Sequence, residues 1–137
     1  MKQRILSDTG PVVALLSEAD ANHHRCFDKF DELDQPIFTC WPVVVEAAWL
    51  LRRQPDLITR LLSLFASGAL QLLPLDRSDL PPISAILTKY ADLRLQLANA
   101  ALLHLAARES IDTIFTLDRR DFGVVRLANR KRPRLIP

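Results

Sequence analysis

Five short apolar segments, none longer than four residues, alternate along this chain with longer stretches that have helical periodicity. They cover residues 4–7, 37–39, 70–73, 113–116 and 135–136. Apolar runs of this length suit buried strands but are too short for core helices. Short strands joined by helices predict a parallel sheet that helices cover on both faces. In such sheets, binding sites form beyond the carboxyl ends of the strands.

The stretches between these segments have the spacing of amphipathic helices. The predicted helices cover residues 12–16, 23–33, 43–53, 57–67, 83–90 and 96–108. Thr9 is expected to cap the first helix, and Pro11 to lie in its first turn. Pro42 suits the start of the third helix, and Gly68 suits the end of the fourth.

Length and composition narrow the class of protein. The chain has 137 residues, 49% of them hydrophobic, which predicts a single domain over residues 1–137 with one substantial core. No stretch resembles a signal peptide or a membrane span, so a cytoplasmic protein is expected. Cys26 and Cys40 have neither the number nor the spacing of a disulfide framework or a zinc site, and we interpret both as reduced and structural.

Three acidic residues stand beside apolar segments. Asp8 and Asp118 follow two predicted strands, and Glu46 lies inside a predicted apolar helix. If the three converged, each pair would repel by about 3 kcal/mol at a separation of ~5 Å and an effective dielectric constant of ~20. A divalent cation would turn this repulsion into attraction, so the placement indicates a metal site. The alternative is that each residue is a local cap or turn residue with no common site.

The net charge of +2 does not indicate a partner, but its distribution is uneven. From Asp118 to the C-terminus the chain has two acidic residues, Asp118 and Asp121, and seven basic ones: Arg119, Arg120, Arg126, Arg130, Lys131, Arg132 and Arg134. A basic edge beside a metal ligand suits a nucleic-acid backbone. A solvated tail or a surface for an acidic protein remains an equal alternative.

Other catalytic classes have less support. Three glycines provide neither a Walker loop nor a dinucleotide-binding fingerprint. His23, His24 and His104 have no reactive Ser or Cys in a recognisable setting, so a nucleophile triad is disfavoured. Asp8-Thr9-Gly10 also spells the aspartic protease tripeptide, but the sequence that follows is helical and no second copy of the tripeptide exists.

Four segments in order resemble one family. They are residues 6–16, residues 39–51 with Glu46, residues 90–106, and residues 115–122 with Asp118. No single segment is specific, whereas the ordered set is. On these segments the chain resembles a PIN-domain ribonuclease of the VapC-like toxin type or a near relative.

The resemblance implies an α/β/α three-layer sandwich around a short parallel sheet, with an acidic cluster that binds Mg²⁺ or Mn²⁺ and hydrolyses RNA. Such an endoribonuclease would be the toxin of a toxin–antitoxin pair. Hard oxygen ligands suit Mg²⁺, and a bound water can attack phosphorus. The implied metal-binding and catalytic residues are Asp8, Glu46, Asn99 and Asp118. Residues expected around them are Thr116, Asp92 and Asp121, and those expected to contact RNA are Arg119 and Arg120.

One segment departs from the family pattern. Where similar proteins read D-L-A-D-A, this chain reads Gln96-Leu97-Ala98-Asn99-Ala100, so both expected carboxylates are amides. Asn99 can still offer a neutral oxygen, but metal affinity and activity should be weaker. Asp92 shares a helical stripe with Asn99, yet seven residues is about 10 Å along a helix, which favours a cap or a peripheral charge. The alternative function is therefore a catalytically inactive module that binds RNA or an antitoxin-like protein.

The implied partners are RNA, a small antitoxin and a second copy of the chain. The antitoxin would cross helices near the acidic cluster, where Trp41, Trp49 and Phe65 can serve as contacts. The same residues can equally be core, and because aromatic side chains are more often buried, the core interpretation is preferred.

Overall fold

The computed structural model describes residues 3–34, 36–127 and 131–137. Within these ranges, five parallel strands form one sheet: β1 (Ile5–Ser7), β2 (Ile37–Thr39), β3 (Leu70–Leu72), β4 (Thr113–Phe115) and β5 (Arg134–Ile136). Their spatial order is β3-β2-β1-β4-β5. The chain therefore builds the sheet outward from β1 in one direction, then returns to the other side of β1. This reversal creates a crevice between β1 and β4 at their carboxyl ends, where open α/β sheets bind ligands.

Helices connect the strands of the described chain. They are α1 (Thr9–Leu16), α2 (His23–Glu32), α3 (Trp41–Leu50), α4 (Pro55–Ala66), α5 (Leu80–Lys89), α6 (Leu97–Glu109) and α7 (Arg119–Phe122). Two short 3₁₀ turns, Arg77–Asp79 and Ala91–Leu93, precede α5 and α6. No helix in the described ranges is long and apolar enough to cross a membrane.

Alternate residues of the strands face two separate hydrophobic clusters. Leu6 pairs with Phe38 on one side and with Ile114 on the other. This row packs in one cluster with residues of α5 and α6, such as Ile83 and Leu102. The other strand residues, which include Ile5, Ile37, Phe115 and Ile136, pack in a second cluster with residues of α1, α2 and α4. The sheet is therefore covered on both faces, and the predicted α/β/α sandwich is confirmed.

Helix α3 borders both layers. Val43 belongs to the cluster with α6, whereas Val44, Ala47 and Leu51 belong to the cluster with α1 and α4. Pro42 lies in its first turn, as predicted, where the missing N–H costs nothing. Because α3 follows β2, which neighbours β1, its Glu46 is carried close to the crevice.

Several predicted boundaries shift by a few residues. Helix α1 begins at Thr9, so Asp8, with an extended backbone, occupies the N-cap position that was predicted for Thr9. Pro11 is the third residue of this helix, within the first turn. The helix predicted from residue 12 therefore starts three residues earlier and brings Asp8 to the junction of β1 and α1. Gly68 follows α4 with φ 86°, a conformation that favours glycine, as expected of a helix end.

Candidate active site

Asp8 lies at the carboxyl end of β1 and is held from the side of β4. Its backbone N–H donates to the carbonyl of Phe115 at 2.8 Å. Its Oδ2 accepts a hydrogen bond from the hydroxyl of Thr116 at 2.9 Å, and only 7% of Asp8 is exposed. Since β1 and β4 are adjacent, these two bonds fix the carboxylate at the mouth of the crevice.

Thr116 joins the two aspartates of the crevice. The same hydroxyl that donates to Asp8 accepts the backbone N–H of Asp118 at 2.9 Å. Asp118 then accepts the N–H of Asp121 at 3.0 Å on its Oδ1 and so caps α7. Asp118 is therefore a helix cap, as the alternative interpretation held. The cap bond uses only one oxygen of its carboxylate, so Asp118 can also belong to a shared site.

One cavity of about 520 Å³ collects the acidic residues that the sequence singled out. Asp8 and Asp118 line it from the strand ends, Glu46 lines it from α3, and Asn99 lines it from α6. Its remaining lining residues are Thr9, Gly10, Leu50, Arg94, Gln96, Leu117 and Asp121. The predicted convergence of Asp8, Glu46 and Asp118 on one pocket is thus present in the structure.

Like charges and burial change the acidity of these carboxylates. Burial, together with smaller contributions from the neighbouring Glu46 and Asp118, raises the pKa of Asp8 to about 6 against the opposing effect of hydrogen bonds from the Thr9 backbone and the Thr116 hydroxyl. Burial also raises the pKa of Glu46. The pKa of Asp121 is raised by burial and by the charge of Asp118. The cavity therefore holds negative charge at an energetic cost that a cation would offset.

The donor set fits a hard cation that keeps much of its hydration. In the described ranges, no three His, Cys, Asp or Glu side chains are arranged so that they could hold a metal ion by themselves. The carboxylates line an open cavity rather than a closed cage, and the Asn99 amide and water would have to complete a coordination shell. Mg²⁺ commonly binds through one or two carboxylates and several waters, so oxygen donors in this arrangement suit it better than Zn²⁺.

The remaining predicted residues lie elsewhere. Asp92 does not line the cavity and lies in the 3₁₀ turn before α6, outside that helix, and its predicted position around the metal ligands stays a prediction. Arg119 and Arg120 also lie outside the cavity lining, and the Arg119 guanidinium donates to the Pro137 carbonyl. Their predicted contact with RNA stays a prediction.

The basic C-terminal run does not form one edge beside the site. Arg134 pairs with Thr113 at the amino end of β4, whereas Asp118 follows its carboxyl end, so the sheet separates the two. Arg130 lies outside the described residues. Within the described ranges, no basic residue of this run lines the acidic cavity.

Among the lining residues that were not predicted as site residues, Arg94 and Thr9 have unusual environments. Arg94 brings a cation to the acidic cavity from a left-handed backbone conformation (φ 53°, ψ 46°), which the sequence does not signal because such conformations favour Gly or Asn. Thr9 was expected to cap a helix. Its Oγ1 is instead buried without a hydrogen-bond partner in the described part of the chain. The Asp-Thr-Gly tripeptide could have drawn attention to it.

The preferred core interpretation of Trp41 and Trp49 is wrong. Trp41 is 56% exposed and Trp49 is 63% exposed, while Phe65 is half-buried against the α1–α4 cluster. Trp41, Val45 and Trp49 repeat every four residues along α3 on the side away from the sheet. With Pro42, Glu46, Leu97 and Ala98 they line an apolar depression of about 570 Å³ that shares Glu46 with the acidic cavity.

Comparison with known proteins identifies the family. The PIN domain family model matches residues 5–127, which contain the sheet from β1 to β4 and all the lining residues of the acidic cavity. The chain therefore belongs to the PIN domain family, as its resemblance indicated.

Two relatives illustrate this membership. Over 135 residues the chain is 30% identical to Ribonuclease VapC26 of Mycobacterium tuberculosis, an alignment that covers 97% of this chain and 100% of the relative. The crystal structure of Mycobacterium tuberculosis VapC20, described as a sarcin-ricin loop cleaving toxin, matches with a TM-score of 0.78 and 15% identity. That match covers 85% of this chain and 91% of VapC20. At this identity it supports the fold alone.

Proposed function

We propose that this protein is an endoribonuclease that hydrolyses RNA phosphodiester bonds with Mg²⁺ or Mn²⁺. The observation that carries the proposal is the single cavity lined by Asp8, Glu46, Asp118 and Asn99 at the carboxyl ends of β1 and β4. Membership of the PIN domain family and the 30% identity to a ribonuclease along the whole chain support the same activity. Cleavage of RNA rather than DNA, and the toxin role, belong to the proposal.

Asp8, Glu46 and Asp118 would hold the cation, with the Asn99 amide oxygen as a neutral ligand. When bound, the cation would lower the pKa of a coordinated water and screen the charge that grows on the phosphate. The protein's contribution is to orient the donors. Thr116 fixes Asp8 through its hydroxyl, and the α7 N-terminus fixes Asp118 through the Asp121 N–H. Such supporting hydrogen bonds keep carboxylates aimed at one point.

Asn99 and Gln96 are expected to weaken this activity. Both line the cavity at positions where the family pattern has carboxylates, and neither contributes charge. Four lining carboxylates remain, namely Asp8, Glu46, Asp118 and Asp121. We therefore expect one cation to bind well and a second to bind poorly.

A cleavage assay with matched variants tests the proposal. Purified protein should cut a labelled single-stranded RNA in Mn²⁺ or Mg²⁺ and stop when EDTA is added. Asn99→Asp should cut faster by about tenfold, because a charged ligand binds the cation more tightly than an amide. Leu97→Asp, which adds a carboxylate to the exposed surface of the same helix, is the control and should have no such effect. An Asn99→Asp protein that is inert in both metals contradicts the proposal.

The second candidate function is a catalytically inactive module that binds RNA or an antitoxin-like protein. The observation that favours it is the amide at Asn99 in a cavity where no three acidic side chains of the described residues can hold a metal alone. RNA binding that persists in EDTA, with no cleavage in any divalent cation, is its expected result. Turnover by the unmodified chain would exclude it.

A small antitoxin is the partner we assign to the exposed apolar surface formed by Trp41, Val45, Trp49 and Leu97. This surface is continuous with the acidic cavity through Glu46, so a protein seated on it would also cover the site. A basic side chain from the partner would meet the carboxylates. This chemistry suits an inhibitor that holds a cytoplasmic ribonuclease in check.

The predicted homodimer is the competing occupant of this surface. If the antitoxin is the occupant, light scattering on the isolated chain should give the same mass for wild type and Trp49→Ser, whether that mass is of one copy or of a homodimer formed through another surface. A dimer that Trp49→Ser dissociates would assign the surface to a second copy instead. Glu32→Ser, on α2, is a surface control for both measurements.

A further inference from the structure

Arg94 carries a positive charge at the acidic cavity, and the described part of the chain provides no partner for it. Among the described residues its guanidinium forms neither a hydrogen bond nor an ion pair within 4.0 Å, although it lines the same cavity as four carboxylates. A cation so close to acidic side chains would normally fold onto them if its own role were to neutralise them. Its charge is instead available to a ligand.

The backbone conformation of Arg94 argues against a purely structural role for this residue. Arg94 ends the 3₁₀ turn Ala91–Leu93 in the left-handed region, and its N–H donates to the carbonyl of Ala91. An arginine in this conformation costs about 1 kcal/mol more than a glycine. Glycine would form this turn at lower cost, so the turn does not explain why the residue is an arginine. A role for the guanidinium would explain it.

Gln96 extends the same rim. It lines the cavity two residues after Arg94 and, like Arg94, is exposed. The amide of Gln96 offers two N–H donors where the family pattern has an acceptor. Arg94 and Gln96 therefore bring hydrogen-bond donors to a cavity whose acceptors come from Asp8 and Asp118 at the strand ends and from Glu46 on α3.

We propose that Arg94 and Gln96 bind an RNA phosphate at the rim of the cavity that the cation-binding carboxylates line. The planar guanidinium can donate two parallel hydrogen bonds to non-bridging phosphate oxygens, and the Gln96 amide adds a third. This anion-binding rim rests on the proposed function, since it gives the substrate's phosphate a second point of attachment. It also gives the change from carboxylate to amide at position 96 a chemical consequence: a carboxylate there would repel the phosphate.

RNA binding in EDTA tests the rim separately from cleavage. The probe is a fluorescent single-stranded RNA of mixed sequence, with anisotropy measured across a range of salt concentrations. Arg94→Ala should raise the Kd about tenfold and should lower the slope of log K against log salt by about 0.7, the value for one lost phosphate contact on a single strand. Arg94→Lys should recover part of the affinity. Arg25→Ala, an exposed arginine on α2 away from the cavity, should change the Kd less than twofold.

Two further variants separate phosphate binding from turn geometry. Arg94→Gly relieves the left-handed strain and should raise thermal stability, yet it should lose RNA affinity as much as Arg94→Ala does. Gln96→Glu should weaken RNA binding without loss of folding. Mn²⁺ affinity, measured by calorimetry on the RNA-free protein, should stay equal or become tighter in Arg94→Ala, because a nearby positive charge has been removed.

The outcomes distinguish this inference from the cleavage proposal. Wild-type RNA affinity in Arg94→Ala, an equal loss in Arg25→Ala, or a parallel loss of Mn²⁺ affinity would overturn the phosphate-binding rim. If no protein cleaves RNA but Arg94→Ala and Arg94→Gly still lose binding with the reduced salt slope, the rim stands and the ribonuclease proposal fails. If the protein cleaves RNA but the Arg94 variants bind RNA as tightly as wild type, the ribonuclease proposal stands and the phosphate-binding rim fails.

Discussion

Two buried aspartates of this molecule have opposite environments. Asp8 is 7% exposed and Asp79 is 5% exposed, so burial alone does not distinguish them. Asp79 receives His104 Nε2 at 2.6 Å, Arg108 Nη1 at 3.1 Å and the backbone N–H of Asp76 at 2.8 Å. Asp8 receives the hydroxyl of Thr116, while its charged neighbours are two other carboxylates.

The pKa values follow these partners. The hydrogen bond from His104, with those from Asp76 and Arg108, lowers the pKa of Asp79 to about 2. Burial and like charges raise the pKa of Asp8 to about 6. Asp79 is paired directly with the Arg108 guanidinium, whereas within the described ranges Asp8 has no hydrogen bond or ion pair with a cationic side chain. A buried acid that the fold does not neutralise marks a place for an external cation, and this contrast is what separates the active-site candidate from a structural ion pair.

The largest expected effect is that Asp8→Asn and Asp79→Asn act on different properties: the first should lower RNA cleavage, and the second should lower the free energy of unfolding. Asp8→Asn removes a metal ligand and should lower RNA cleavage by about 100-fold or more, yet it relieves like-charge repulsion, so the free energy of unfolding should stay equal or rise. Asp79→Asn breaks a paired buried charge and should lower the free energy of unfolding while cleavage per folded molecule persists. Chemical denaturation and initial cleavage rates measure both.

The comparison breaks if the two variants behave alike. Loss of stability in Asp8→Asn would make Asp8 a structural acid. Loss of cleavage in fully folded Asp79→Asn would mean that the ion pair of Asp79 with Arg108 is needed for activity. Asp112→Asn, an exposed aspartate at the amino edge of the sheet, is the control for both assays and should change neither.

Mn²⁺ should sharpen the same contrast through thermal stability. A ligand that binds only the folded state stabilises it by about 2.7 kcal/mol at a concentration of 100 Kd. The melting temperature should therefore rise with added Mn²⁺ in wild type and in Asp79→Asn, and should rise far less in Asp8→Asn. Magnesium is expected to act in the same direction at higher concentration. A melting temperature that rises equally in Asp8→Asn would place the bound ion elsewhere.

Acid should remove the Asp79 contribution. The folded pKa of about 2 lies below the usual value of 3.8, so the unfolded chain takes up a proton first as the pH falls. The stability from this group is fully present above about pH 5 and is lost between about pH 4 and pH 2. Urea denaturation across this range should show the difference between wild type and Asp79→Asn narrowing as the pH falls. A constant difference would contradict the ion-pair interpretation.

Much of the site was predictable because it depends on sequence order. A short apolar strand followed by an acid fixes that acid at the carboxyl edge of a parallel sheet, so Asp8 and Asp118 could be located without any contact information. Thr116 follows by the same argument, one residue beyond β4. Contacts across the fold were not predictable in this way. Asp79 and His104 lie 25 residues apart, on different elements, and nothing local signals their bond.

Helix α3 shows why burial was harder to predict. Trp41, Val45 and Trp49 have the four-residue spacing of a buried face, and so does the opposite side of the helix with Val43, Val44 and Ala47. Composition cannot decide between two apolar faces. The tertiary packing does, since α3 contacts both α1 and α6 and buries Val43, Val44 and Ala47 in the two clusters beside them.

The smallest expected effect concerns the hydroxyl that connects the two aspartates of the cavity. Thr116→Val keeps the shape of a fully buried side chain but removes the donor to Asp8 and the acceptor for the Asp118 N–H. Loss of such a supporting contact should reduce cleavage and Mn²⁺ affinity by about tenfold. Thr116→Ser keeps the hydroxyl and should stay within about twofold. If Thr116→Ser loses as much activity as Thr116→Val, the hydroxyl alone does not position Asp8, because Ser retains the hydroxyl and lacks only the methyl group that Thr116 packs in the core.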